Sequence, residues 1–132
     1  MKYDKDIWEN KMHGDVFKMK STLLYIKEDI PEVMKNVTYS SYDRAIPNLF
    51  ERLLGYKNEL LDIEQEVDAI LEEINIFANR INLLAIHEAP NAVIILEETH
   101  NILNVQVEKL NTDYNKTKDD ILNFTAHLKN EK

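Results

Sequence analysis

Apolar residues recur every three or four positions along most of the chain. From Ile46 one stripe runs Leu49, Leu53, Tyr56, Leu60, Ile63, Val67, Ile70, Ile74, Phe77, Ile81 and Leu84. After His87-Glu88-Ala89-Pro90 a second runs Val93, Leu96, His100, Leu103, Val107, Leu110, Tyr114, Thr117, Ile121, Phe124 and Leu128. This spacing marks amphipathic helices whose seams meet other helices. If the chain folds back near Glu88, residues whose numbers sum to about 177 come level, because both helices rise equally per residue. Leu84 then faces Val93, Phe77 faces His100, Val67 faces Leu110, Tyr56 faces Ile121 and Leu49 faces Leu128. The seams match rung for rung, which predicts a long antiparallel coiled-coil hairpin.

A further stripe of Trp8, Met12, Val16, Met19, Leu23, Ile26 and Ile30 predicts a shorter N-terminal helix over about 4–30. Pro31 is expected to close it, since proline disfavours helical geometry in the residue before it. A linker over 31–46 follows, with a short helical turn near 32–37. Pro47 reads as a first-turn proline of a second helix over about 47–87, with Asp43 as a rival N-cap. The third helix covers about 90–129. The expected fold is all-α: one domain over 1–132, an elongated three-helix bundle built on the hairpin.

Length decides what the first helix covers. The hairpin helices are roughly 40 residues or ~60 Å each, whereas the first is roughly 27 residues or ~40 Å. It is expected along the base, against Phe50, Leu54, Leu61 and Leu71, leaving the tip as two bare helices. The tip carries aliphatics outside the seam: Ile76, Leu83, Ile86, Ile94, Ile95 and Ile102. Contiguous exposed apolar surface usually marks a contact site, so these six are the candidate partner-binding residues. The alternative is a first helix seated higher, or a bent hairpin that covers them.

Charge narrows the partner. The chain carries a net charge of −8 and no cysteine. Direct nucleic-acid binding and attachment to an anionic membrane are disfavoured, because both need clustered Lys and Arg. Disulfides and thiolate chemistry are excluded. No apolar run long enough to span a bilayer exists, and the start Met1-Lys2-Tyr3-Asp4 is too polar for a signal peptide. The expected setting is cytoplasmic, with export without a cleaved signal or packaging in a virion as alternatives. Abundant Ile, Asn and Lys hint at an AT-rich bacterium or its phage. Between Asn58 and Asn79 lie Glu59, Asp62, Glu64, Glu66, Asp68, Glu72 and Glu73, with no Lys or Arg. Glu59, Asp62, Glu66 and Glu73 form a candidate acidic face for a basic partner. The plainer reading is a solvated face partly neutralised by Lys11, Lys18, Lys20 and Lys27.

Catalytic chemistry has little to stand on. Glu97-Glu98-Thr99-His100 contains the Glu-x-x-His of di-iron bundles, but no second copy exists. Glu9 and His13 are spaced to chelate but lack a third ligand. His100 fits better in the seam against Phe77. With only Gly14 and Gly55, no phosphate-cradling loop can be built, and no serine has a matching His and Asp. No metal, cofactor, small-molecule substrate or enzymatic activity is expected.

The hairpin resembles in outline the small helical-hairpin proteins of type VII secretion and their accessory chaperones. Those carry Trp-x-Gly at the turn, or a C-terminal Tyr-x-x-x-Asp/Glu or Phe-x-x-x-Asp export signal. Here the turn reads His87-Glu88-Ala89-Pro90-Asn91, Trp8 lies in the first helix, and Tyr39-Ser40-Ser41-Tyr42-Asp43 has the spacing but falls in the linker. The resemblance covers only the architecture of the second and third helices and implies an accessory role in secretion. The expected function is a non-enzymatic interaction protein (adaptor, chaperone or assembly component) that binds a helical partner or itself through the tip. The alternative is an acidic inhibitor or immunity-type protein, a DNA mimic among the forms it could take, acting on a basic target.

Overall fold

The computed structural model describes residues 5–38, 42, 46–87 and 90–130, without the side chains of 85–90 and 129–130. Among the described residues there are three long helices and no strand: α1 (Lys5–Met34), α2 (Leu49–His87) and α3 (Pro90–Asn130). A 3-10 turn, Lys35–Val37, extends α1. α2 and α3 form the expected antiparallel pair. The Phe77 and His100 rings lie 6.3 Å apart toward the tip, and Tyr56 lies 5.7 Å from Phe124 toward the base. There the Arg52 guanidinium caps the Phe124 ring at 4.1 Å. Leu60, Val67, Ile74 and Ile81 from α2 meet Leu103, Leu110, Tyr114 and Ile121 from α3 in one continuous buried core. Each such aliphatic contributes roughly 1.5–3 kcal/mol through burial.

Two expectations about the first helix need correction. It does not end at Ile30: Pro31 lies inside α1, which continues to Met34. An interior proline costs about 3 kcal/mol, because it cannot donate to the carbonyl four residues back. Here Lys27 and Pro31 are both exposed, so water can satisfy that carbonyl. Continuing the helix into its 3-10 extension buries Val33 and Val37. At roughly 1.5–3 kcal/mol each, that burial outweighs the proline.

The second correction concerns the tip, which is not bare. His100 meets Asp15 and Tyr114 meets Asp29 at one common sequence offset of 85. α1 therefore runs parallel to α3, with Lys5 level with Pro90 at the tip. It is antiparallel to α2, which it joins through Lys27 Nζ and Asp68 Oδ1 at 2.7 Å. Trp8 and Met12 are buried at the tip end. The extra turns explain the reach, since α1 and its 3-10 extension span roughly 50 Å of a ~60 Å hairpin. At the base Tyr42 takes over. Its ring is buried, and its hydroxyl donates to the Asn36 carbonyl at 2.7 Å. Phe50 and Leu54 line a shallow groove with Met34 and Val37 but stay exposed, as does Leu61. Leu71 is half-buried.

The start of α2 also differs. Pro47 precedes the helix rather than opening it. The Leu49 N–H donates to the Ile46 carbonyl at 3.4 Å, and Asn48 has φ 58°. Proline second and a positive-φ residue third is the composition of a tight turn, and asparagine tolerates that backbone better than other side chains. The Asn48 carbonyl then accepts the Arg52 N–H at 3.1 Å and starts the helix. Asp43 and the Glu88-Ala89 turn lie outside the described residues. Replacing Asn48 tests the turn. In urea unfolding, Asn48→Gly should hold or raise stability, whereas Asn48→Val should lose about 1–2 kcal/mol. Equal stability of the two variants would contradict the turn.

Candidate interaction surface

Two faces of the α2–α3 hairpin compete for α1, and polar pairs mark the one it occupies. Heptad spacing puts Trp8, Asp15, Thr22 and Asp29 on a single stripe of α1, drifting only ~20° per heptad. Trp8 Nε1 donates to Glu97 Oε1 at 3.2 Å. Asp15 Oδ2 lies 2.7 Å from His100 Nε2. Asp29 Oδ2 accepts both the Tyr114 hydroxyl, at 2.5 Å, and Lys118 Nζ, at 2.8 Å. Thr22 breaks the series, since its hydroxyl donates to the Lys18 carbonyl at 3.2 Å.

The Asp29 cluster has the stronger electrostatics. Burial pushes the Asp29 carboxyl up, but the hydrogen bonds from Lys118 and Tyr114 outweigh it and hold the group below its ordinary value. Burial, followed by the bond to Asp29, drives the Tyr114 phenol far above its ordinary range. The bond to Asp29 likewise raises Lys118 against the opposing effect of burial. Asp15 and Asp29 are not among the residues singled out by sequence. Their signal is nevertheless present: two carboxylates two heptads apart, flanking an apolar stripe whose partner seam contains His100 and Tyr114.

The metal-like motif is used up in this packing. Glu97 holds the Trp8 indole, while His100 lies beside Phe77 and bonds Asp15. Its other ring nitrogen is 3.4 Å from Asn101 Oδ1. Glu9 keeps one buried carboxylate oxygen without a hydrogen-bond partner, and His13 is exposed. Among the described residues no three His, Asp or Glu side chains gather as a metal site.

The face turned away from α1 carries most of the sequence-derived candidates. Ile76 and Leu83, one heptad apart on α2, are 47% and 55% exposed. Ile95 and Ile102, one heptad apart on α3, are 57% and 58% exposed. Phe77 and His100 are in contact, so Ile76 is level with Ile102, and Leu83 with Ile95. Ile94 is 59% exposed but lies ~100° round the helix from Ile95, off this face. The Ile86 side chain lies outside the described residues. Val105, absent from the sequence-derived candidates, is 63% exposed at the edge of this face, ~60° round the helix from Ile102 and away from α2. Covering the seam with α1 thus leaves these aliphatics in solvent.

The acidic residues continue the same face toward the base. Glu59, Glu66 and Glu73 fall on one heptad column with Arg80, and Asp62 falls on the column of Ile76 and Leu83. Glu66 and Glu73 line the α2–α3 groove opposite Gln106, Lys109 and Asp113. Among the described residues the expected neutralisation by α1 pairs Lys27 with Asp68, with Glu64 adding a weaker attraction. Among the described residues Glu59, Asp62, Glu66 and Glu73 have no ion pair. No helix among the described residues is long and apolar enough to cross a membrane.

Comparison with known proteins adds no relative: no family model, no curated protein and no solved structure matches the chain.

The Asp29 cluster has a pH signature. Because the folded carboxyl titrates below its unfolded value of about 3.9, its contribution is complete above that pH and is lost as pH falls through the folded value. Stability of the wild type should therefore drop in this acid window, and Asp29→Asn should flatten the drop. Asp29→Ala should cost on the order of 2 kcal/mol at neutral pH, through the unpaired Tyr114 hydroxyl and Lys118. An unchanged acid profile in Asp29→Asn would refute the assignment.

Proposed function

We propose that the protein is a non-enzymatic interaction module, an adaptor, chaperone or assembly component, that binds protein through the outer α2–α3 face. One observation carries this reading. Ile76, Leu83, Ile95 and Ile102 stand half-exposed on paired heptad columns, on the face that α1 leaves open. Heptad-spaced aliphatics on two adjacent helices present a groove of the kind that takes a further helix. The cost of leaving them in water, roughly 1.5–3 kcal/mol per fully buried side chain, is recovered when a partner covers them.

A second reading rests on Glu59, Asp62, Glu66 and Glu73, which form no ion pair among the described residues. In that reading the acidic stripe binds a basic protein. Salt separates the two. Apolar association persists at about 0.5 M salt, whereas binding through the acidic stripe weakens as the Debye length shrinks.

The variant Ile76→Glu with Ile95→Glu tests the apolar reading. Association, with itself or with a helical partner, should disappear by light scattering after size exclusion, while helical circular dichroism stays at the wild-type level. Association that survives in a folded double variant would place the contact elsewhere.

A further inference from the structure

We infer that the occupant of this face is a second copy of the chain, packed α2 against α3 with both tips at the same end. The inference rests on the interaction reading above and adds the partner and its register. It comes from the order of residues along the exposed flanks of the two helices. From tip to base α2 presents Leu83, Arg80, Ile76, Glu66 and Asp62, and α3 presents Ile95, Glu98, Ile102, Lys109 and Lys116. The contact of Phe77 with His100 sets the levels. Each α2 residue is then level with its α3 counterpart to within two residues, or ~3 Å.

Most steps are complementary: aliphatic with aliphatic, Arg80 with Glu98, Glu66 with Lys109, Asp62 with Lys116; Glu73 is level with the neutral Gln106, and Asp113 lies one turn from Lys109. Among the described residues none of the six charged side chains in the complementary pairs forms an ion pair within the chain. A two-fold axis parallel to the helices lays α2 of each copy on α3 of the other, so each of these complementary pairs is made twice. An axis across the helices, through the middle of the apolar patch, instead sets Arg80 on Arg80 and Glu98 on Glu98. Charge order therefore selects the parallel arrangement. In it each α2 runs antiparallel to the α3 it touches, and the four helices at the centre form a bundle.

The area is sufficient. Four half-exposed aliphatics leave on the order of 400 Å² of apolar surface per copy. Pairing two such faces with their charged rims buries roughly 1,000 Å², the lower bound for a specific interface.

The chain has no cysteine, so single introduced thiols report the register directly. Full-length Ile76→Cys and Ile102→Cys variants are mixed in equal amounts and oxidised mildly. The parallel dimer gives mainly the mixed disulfide between the two variants. A dominant disulfide of Ile76→Cys with itself would overturn the register, and absence of any cross-link would overturn the dimer. A second test does not touch the aliphatics. Lys109→Glu with Lys116→Glu, and Asp62→Lys with Glu66→Lys, should each be monomeric by light scattering and form a heterodimer when mixed. Failure of the mixture to pair would overturn the inference. If the wild type is monomeric yet captures another protein in a manner lost in Ile76→Glu with Ile95→Glu, the second copy is refuted while the interaction reading stands. Loss of both refutes both.

Discussion

A single helix can cover only one of the two faces of a helical hairpin, and this constraint shapes the whole molecule. α2 and α3 each carry an apolar seam that buries against the other, but two helices alone leave both sides of that seam open. α1 closes one side from the tip, at Trp8 and Met12, to the base, at Val33 and Val37. The other side stays in solvent. What the protein offers to its surroundings is therefore decided by which face α1 takes.

Polar pairs rather than apolar burial single out that face and its register. Aliphatic side chains pack against either side of a hairpin with little preference. The pairs of Asp15 with His100 and of Asp29 with Tyr114 and Lys118 are satisfied only when α1 runs parallel to α3 at one offset. A one-turn slip would strand a buried phenol and a half-buried carboxylate, and no single repacked aliphatic would offset that cost. Sparse polar groups beside an apolar seam commonly play this role.

The hairpin is legible in the sequence because its signal is long and redundant: eleven rungs matched from Leu49 to Leu84 and from Val93 to Leu128. The position of α1 is not. Pro31 carries a strong local stop signal, and only tertiary burial of Val33 and Val37 overrides it. Read locally, the helix is too short to reach the tip and belongs at the base. Pro47 misleads in the same way, because a first-turn proline and a turn proline look alike until the φ of Asn48 is known. The candidate surface is legible in part. Ile76, Leu83, Ile95 and Ile102 stand out of the seam by spacing alone, but Ile94 does so equally and points elsewhere. Its neighbour Ile95 lies on the shared face only because the hairpin's handedness turns that flank toward α2.

The face opposite α1 is, on this account, where the protein meets its own kind. A nitroxide spin label reports it most directly, placed at Val105 on the rim of that face and, in a second variant, at Phe17 on the outer side of α1. Both positions are well exposed, at 63% and 73%. As protein concentration rises over a roughly hundredfold range, the label at Val105 should lose mobility while the label at Phe17 keeps it. A label at Val105 that stays free, or immobilisation at Phe17 instead, would contradict the account.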